Sequence, residues 1–284
     1  MLSLIVCSVD RVSELAKLLA SLERQTSRDF EVIIVDQNRE ERLLPVLRGY
    51  PALSIRHLRS ERGLSRSRNV GLRFACGDII AIPDDDCWYP ETLVASVVAW
   101  FGAHPDFHGL STIKKDADGK PVGPKWPRSA REIVLANVFE CAISSTIFLR
   151  RSVVESVGDF NQAIGVGARS AYQAGEETDY LLRALKAGFR LWYEPALTVH
   201  HPPLNSIDRL RSTSYPFALG AGYVLRIHGF SLWYFLRVLA RSLGGALVSC
   251  MKVDFENARI YLIRAAGQFR GYFWGPRDLQ RFIS

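Results

Sequence analysis

The sequence predicts an α/β fold, with a mostly parallel sheet flanked by helices and a helical, amphipathic C-terminal region. Over residues 1–204, short apolar runs of strand type alternate with segments whose apolar residues repeat at helical spacing. This alternation is typical of right-handed βαβ units, which build a parallel sheet. Residues 205–284 lack it and mix aromatic with basic residues instead. We therefore predict an α/β domain at 1–204 and a basic helical region at 205–284.

The predicted strands of the α/β domain are apolar runs that end at polar, often acidic, residues. They cover residues 2–8, 31–36, 53–58, 77–86, 143–149, 190–193 and 196–201. The predicted helices cover residues 11–22, 40–48, 62–71, 151–157 and 176–186, with another that begins at Pro90. Residues 114–130 are polar and rich in Gly and Pro, which indicates a long loop.

Three consecutive carboxylates, Asp84, Asp85 and Asp86, follow the apolar run of residues 79–82. Aspartate is a poor strand former, so these acids should lie where the strand ends, beside the crevice in which open α/β sheets bind ligands. Adjacent carboxylates repel one another unless a cation lies among them, and their oxygens suit Mg²⁺ or Mn²⁺. A solvated acidic turn is the alternative.

Other polar groups are expected at the same edge of the sheet. They are Asp36 at the end of the second strand, the acids Glu176, Glu177 and Asp179, the pair His200-His201, and the arginines Arg62, Arg66 and Arg68. The acids at residues 176–179, the two histidines and the arginines each have a structural alternative. First-turn acids can complement a helix dipole, a histidine can belong to the core, and arginines can form a solvated face. The arginines at a helix start would also suit a diphosphate.

The net charge of +7 lies entirely in the C-terminal region. Residues 205–284 contain eleven Lys and Arg against four Asp and Glu, whereas residues 1–204 contain twenty-five of each. A basic, aromatic region suggests an anionic surface as partner. A nucleic-acid-binding module is one alternative, and the balanced charge of residues 1–204 argues against it.

The five cysteines are odd in number and show no CxxC spacing, which predicts a reducing cytosol rather than disulfides or a zinc site. The apolar start of the chain is predicted to be a strand and not a signal peptide. No stretch reaches the ~18 uncharged apolar residues of a spanning helix. Arg237 and Arg241, four residues apart among apolar side chains, instead predict an amphipathic helix in the headgroup plane.

Taken in order, these features resemble the family-2 glycosyltransferases with the GT-A fold, over roughly residues 2–203. The matching segments are Val6-Cys7-Ser8 with Arg11, Ser21-Leu22 with Gln25, residues 31–36, Gly63 with residues 65–71, Gly77-Asp78 leading to Asp84-Asp85-Asp86, residues 158–161, residues 175–179 with Arg183, Ala187-Gly188, and His200-His201. The resemblance implies a UDP-, dTDP- or GDP-linked sugar donor and transfer with inversion at the anomeric carbon.

The resemblance also implies roles for individual residues. The donor-binding set would be Ser8, Asp36, Arg68, Asp84 and Asp85, with Asp36 on the nucleobase and Asp84 and Asp85 facing the nucleoside. Asp86 would hold Mg²⁺ or Mn²⁺ together with His201, or with His200 as the alternative. The general base would be Glu177, at a position where the family usually carries aspartate, and Glu176 is the rival.

The implied acceptor is a lipid-linked or other glycan in bacterial exopolysaccharide, capsule or lipopolysaccharide synthesis. The implied location is peripheral, on the cytoplasmic face of the inner membrane, with no nucleic acid as partner. A sugar nucleotidyltransferase is the competing enzyme class. It would need a Gly-rich phosphate loop after the first strand, whereas residues 8–11 contain no glycine.

Overall fold

The computed structural model describes residues 1–123, 125–203 and 207–274, and for residues 207–209 it describes the backbone only. The chain divides into two compact units. The first comprises Met1–Phe160 and Tyr180–Leu204, and the second comprises Asn161–Asp179 and Asn205–Ser284. The boundary predicted between residues 204 and 205 lies outside the described residues. Asn161–Asp179, which the sequence assigns to the α/β domain, groups with the C-terminal helices.

In the described part of the first unit, eight strands form one mixed sheet. They are β1 Leu2–Ser8, β2 Phe30–Asp36, β3 Ile55–Arg59, β4 Ile79–Ala81, β5 Gly109–Lys115, β6 Arg131–Ile133, β7 Ile147–Arg150 and β8 Leu191–His200. Their order across the sheet is β3-β2-β1-β4-β7-β5-β8-β6. Strands β1 to β4 pair in parallel, and so do β5 and β8. Strand β7 runs antiparallel to its two neighbours, β4 and β5, and the edge strand β6 runs antiparallel to β8. The predicted α/β class is confirmed.

Seven α-helices lie between the described strands along the chain, and the first turn of the last of them belongs to the second unit. They are α1 Ser13–Glu23, α2 Leu44–Arg48, α3 Leu64–Leu72, α4 Leu93–Ala103, α5 Val138–Cys141, α6 Arg151–Val157 and α7 Glu176–Lys186. Apolar side chains on the inner faces of α1 and α4 pack with β1, β2 and β4, and Leu4, Leu18, Val32 and Val97 are fully buried there. This core fixes the level at which the parallel strands end.

Parts of the second half of the sheet differ from the sequence prediction. Strand β5 was not predicted, because its Ser-Thr and Lys-Lys pairs interrupt the apolar pattern of a strand. The segment is nevertheless buried, since it pairs with β7 on one side and β8 on the other. The two strands predicted around Pro195 form the single strand β8, whose pairing with β5 shifts register between Thr112 and Ile113. Proline is tolerated at such an irregularity, where no ladder hydrogen bond is required of it.

The described part of the second unit contains three long helices: α8 Ile207–Ile227, α9 Leu232–Met251 and α10 Phe255–Phe273. Glycines let α8 and α10 approach closely, since a Cβ atom on Gly271 would lie 2.1 Å from the Leu219 carbonyl oxygen. Side-chain oxygens of Ser231 and Asp254 accept hydrogen bonds from the first turns of α9 and α10 and so define where these helices begin. The predicted helical character of this region is therefore present.

Among the described helices, α9 is the one long and apolar enough to cross a membrane by length and composition, with a mean hydropathy of 1.2 over its best window. The sequence prediction required ~18 uncharged apolar residues, and Arg237 and Arg241 interrupt such a run within α9. A helix of a soluble protein can pass the same test, and α9 does bury one face, including Phe235 and Ala246, although only 22% of that window is buried.

Candidate active site

Three side chains in the first unit form a cluster suited to a cation. The carboxylates of Asp84 and Asp86 and the imidazole of His201 each offer a ligand atom, and these atoms lie within 4.8 Å of one another. Both acids follow β4, and His201 follows β8. Reciprocal backbone hydrogen bonds of 2.9 Å between Trp88 and His200 tie the two segments together. The cluster therefore depends on the sheet, not on a local turn.

The hydrogen bonds of His201 define which nitrogen faces the acids. Its Nδ1 lies 2.6 Å from the carbonyl oxygen of Pro202, which can only accept, so Nδ1 carries a proton. Its Nε2 lies 3.1 Å from Oδ1 of Asp86. With Nδ1 as the donor to Pro202, the lone pair of Nε2 faces the acids and is the one that a metal ion would take. Backbone fixation of Nδ1 is the usual arrangement for a metal-binding histidine.

The charge states of the acids are consistent with a cation site. Burial alone would raise the pKa of Asp86, but the hydrogen bond and charge of His201, with the charges of Arg11 and Lys114, lower that pKa to about 2. Burial raises the pKa of Asp85 to about 6, despite the opposing charge of Arg11. Asp86 is therefore ionised at neutral pH and supplies the negative charge that a divalent cation requires.

Arg11 joins the site through both neighbouring acids, a role that was not predicted from the sequence. Its Nη1 donates to Oδ1 of Asp85 at 2.6 Å and lies 2.7 Å from Oδ2 of Asp86. The available signal was its place three residues after the carboxyl end of β1. The isolated bridge between Cys7 and Asp84 brings that end alongside the acids.

The structure separates the two histidines that the sequence left as alternatives. His200 does not join the cluster, because its ring stacks on Trp88 with centroids 5.4 Å apart and its Nδ1 lies 3.2 Å from the Asp116 carbonyl oxygen. Alternation along an extended strand points successive side chains to opposite faces. The geometry therefore favours His201 over His200 as a ligand.

Asp36, the residue expected at the nucleobase, lies opposite Ser8 in the parallel register and is completely buried. Within the described part of the chain, four donors reach its carboxylate. The backbone and side-chain nitrogens of Asn38 lie 2.8 and 2.7 Å from Oδ1, while Nη1 of Arg59 and Nε2 of His57 lie 2.8 and 3.1 Å from Oδ2. These contacts use about all four lone-pair positions of a carboxylate. In this structure, Asp36 anchors the loop after β2.

We expect Asp36→Ala to lower the free energy of unfolding by about 2–4 kcal/mol, because the buried donors of Asn38 lose their acceptor and Arg59 loses its counter-ion. Urea denaturation would measure this. Asp29→Ala is the matched control, since the Asp29 side chain is 60% exposed and should change stability by less than about 1 kcal/mol. Equal midpoints for the two variants would contradict the anchoring role.

The three arginines predicted at the start of α3 have different environments. Arg62 and Arg66 form ion pairs near the surface with Asp10 and Glu61. Arg68, in contrast, is buried, and its guanidinium lies 5.3 Å from the centre of the Phe160 ring. Arg68 is thus the member of the group that the fold itself holds in place.

The candidate general bases lie in the second unit, in the first turn of α7. Gly175 precedes them with a φ of +99°, a conformation that side-chain-bearing residues rarely adopt, and its carbonyl accepts from the amide of Asp179 at 2.8 Å. Glu176 and Asp179 are buried, whereas Glu177 is half-buried. Exposure therefore favours Glu177 over Glu176 as the carboxylate that an acceptor can reach.

Comparison with known proteins identifies the family. Residues 3–158, more than half of the chain, match the family described as Glycosyl transferase family 2. The chain belongs to this family. An uncharacterized glycosyltransferase of Haemophilus influenzae is 47% identical over 94 residues, which are 32% of this chain and 31% of that protein. The uncharacterized glycosyltransferase YwdF of Bacillus subtilis is 28% identical over 166 residues, 56% of this chain and 62% of that protein.

Solved structures of glycosyltransferases share the fold. Mannosyltransferase PcManGT from Pyrobaculum calidifontis, in complex with GDP-Man and Mn²⁺, matches with a TM-score of 0.62 at 15% identity over 96% of this chain and 87% of its own. S. aureus TarS 1–349 matches with a TM-score of 0.61 at 20% identity, over 94% of this chain and 92% of the TarS chain. The predicted GT-A fold is confirmed. The chain covers less than two thirds of the length of each of the two curated relatives above.

Proposed function

We propose that this family-2 protein transfers a sugar from a nucleotide-sugar donor to an acceptor hydroxyl, with inversion and with Mg²⁺ or Mn²⁺. The observation that carries the proposal is the Asp84–Asp86–His201 cluster, at the sheet edge where α/β proteins bind ligands. The neighbour PcManGT binds GDP-Man and Mn²⁺, and TarS 1–349 was solved with UDP-GlcNAc, which supports a donor of this class.

The cluster would hold the metal through oxygens of Asp84 and Asp86 and Nε2 of His201. When bound, such an ion acts as a Lewis acid that stabilises negative charge on the diphosphate. Arg11 keeps Asp85 and Asp86 in place through its two short contacts. Ser8, Asp36, Arg68, Asp84 and Asp85 remain the proposed donor-binding set, with Asp36 acting through the loop that it anchors.

Glu177 is proposed as the general base that removes the proton from the acceptor hydroxyl. The acceptor oxygen then bonds to the anomeric carbon as the bond from that carbon to the nucleoside diphosphate breaks, and the diphosphate leaves with the electron pair. Its partial exposure supports this role, and Glu176, which is buried, remains the second candidate. A glutamate in place of the family's usual aspartate extends the side chain by one methylene, so its exact placement matters to the rate.

A thermal-shift screen tests donor binding, because a ligand that binds only the folded state raises the melting temperature. UDP-, dTDP- and GDP-linked sugars would each be tested with Mn²⁺ and with a chelator. We expect the sugars linked to one of these three nucleotides to raise Tm, and to raise it more with Mn²⁺ than with the chelator. No shift with any of the three donors would contradict the proposal.

The proposed acceptor is a lipid-linked glycan, which requires the enzyme at a membrane surface. Helix α9 carries an exposed apolar stripe at helical spacing, formed by Leu232, Leu236, Leu243 and Leu247. Arg237 and Arg241, one turn apart on the same helix, are also exposed. A basic helix with such a stripe lies in the plane of the headgroups of anionic lipid. We propose peripheral attachment to the cytoplasmic face of the inner membrane through α9.

Vesicle co-sedimentation tests this attachment on the full chain. We expect binding to vesicles with anionic lipid, weakened roughly 30-fold by the double substitution Arg237→Gln and Arg241→Gln, at about 1 kcal/mol per arginine. Leu236→Ser with Leu243→Ser should weaken it at least about tenfold. Val134→Ser with Leu135→Ser is the control, because these exposed apolar residues lie in the first unit. Unchanged sedimentation of both α9 variants would exclude α9 as the membrane contact.

A further inference from the structure

A buried histidine contacts the turn that carries the candidate bases. His228 directly follows α8, and its Nε2 lies 2.8 Å from Oδ1 of Asp179, in the first turn of α7. The two side chains are only 6% and 4% exposed. No role was predicted for His228, because it is an isolated histidine in the sequence of the C-terminal region. A short contact between a buried imidazole and a buried carboxylate is a strong, directional interaction.

The backbone around this pair is packed against α8 without free space. A Cβ atom on Gly220 of α8 would lie 2.1 Å from the Ala174 carbonyl oxygen, and one on Gly175 would lie 2.9 Å from Cγ2 of Val224. The rings of Tyr172 and Tyr223 stack with centroids 4.0 Å apart. From Gly220 to His228, about two turns, α8 therefore supports residues 172–179, with the His228–Asp179 contact at its C-terminal end.

Further charged and titratable groups surround the pair. Burial, and then the negative charge of Asp179, raises the pKa of Tyr223, while the charge of Arg226 opposes this. The guanidinium of Arg226 donates to the carbonyl oxygen of Phe273 at 2.6 Å, at the end of α10. The Asp179 carboxylate is thus close enough to Tyr223 of α8 to affect the pKa of that side chain, and the imidazole of His228 is in direct contact with the same carboxylate.

We propose that His228 is a positioning residue for sugar transfer: its ring holds Asp179 and thereby fixes the first turn of α7, in which Glu177 lies two residues earlier. The inference rests on the proposed function, because it gives Glu177 the role of base. By this inference, the C-terminal region has a second role besides the proposed membrane attachment, because the residue after α8 positions the turn that carries Glu177.

Two substitutions test the N–H donor at this position. His228→Gln can place an amide N–H near the Nε2 position, whereas His228→Leu fills similar space without a donor. We expect His228→Leu to lower kcat by about 10- to 100-fold, the effect of a small displacement of a catalytic group, with the KM for the donor within about twofold. His228→Gln should recover most of kcat. Turnover is measured as nucleoside diphosphate released, with His104→Leu as an exposed control.

Hydrogen exchange supplies a readout independent of activity. Amides of residues 172–179 should exchange faster in His228→Leu than in the parent protein, and nearly normally in His228→Gln. Equal kcat losses in the two variants, or unchanged exchange in His228→Leu, would overturn the inference. Should His228→Leu fail to fold, His228→Asn replaces it, since the shorter amide cannot reach Asp179. A parent protein that releases no nucleoside diphosphate from any donor would refute the proposed function instead, while exchange still decides the positioning.

Discussion

Asp86→Ala is expected to lower metal-dependent sugar transfer by about 10³-fold or more. The reason is that the substitution removes a proposed metal ligand, whose low pKa keeps it charged at neutral pH. A Lewis-acid contribution of several kcal/mol corresponds to this factor, at about 1.4 kcal/mol for each factor of ten. Steady-state kinetics with Mn²⁺ titrated against a chelator would measure the loss.

Two further variants make this result specific. Asp86→Asn preserves the volume of the side chain and should be nearly as inactive, which separates the loss of charge from the loss of packing. Asp106→Ala removes an exposed carboxylate elsewhere in the first unit and should retain full activity. Near-normal turnover of Asp86→Ala in the presence of a chelator would show that the metal assignment is wrong.

Glu177→Gln is expected to bind the donor about as well as the parent protein but to lose about 10²–10⁴-fold in kcat, the range typical of a lost general base. The amide keeps the shape of the side chain and cannot accept a proton. Donor binding would be followed by the change in Tm, and turnover by release of nucleoside diphosphate.

Glu176→Gln is the matched comparison, because Glu176 is the adjacent acid in the same helical turn and is more deeply buried. It should keep most of its turnover if Glu177 is the base. An inactive Glu176→Gln together with an active Glu177→Gln would move the base by one residue.

The sequence was sufficient for the features that depend on one segment of the chain. β1, α6 and α7 have bounds close to those predicted, since their apolar patterns and turn residues are local signals. The acids after β4 were also visible as a group, because aspartates directly after a buried strand mark a sheet edge.

Features that depend on several segments were not predictable in the same way. The contacts of Asp36 with His57 and Arg59 require the β2–β3 register, which pairs Asp36 with Arg59. That His201, and not its neighbour His200, lies beside Asp84 and Asp86 depends on the direction of two successive side chains at the end of β8. Pairing partners and side-chain direction follow from tertiary packing, for which a single sequence carries little signal.

Binding of Mn²⁺, followed by electron paramagnetic resonance in the presence of UDP, dTDP or GDP, tests the cation site most directly. The parent protein should bind Mn²⁺ more tightly with one of these nucleotides than without. Asp86→Ala and His201→Ala should lose most of this binding, whereas His200→Ala should keep it. Equal Mn²⁺ binding by the parent protein, Asp86→Ala and His201→Ala would show that the Asp84–Asp86–His201 cluster is not the metal site.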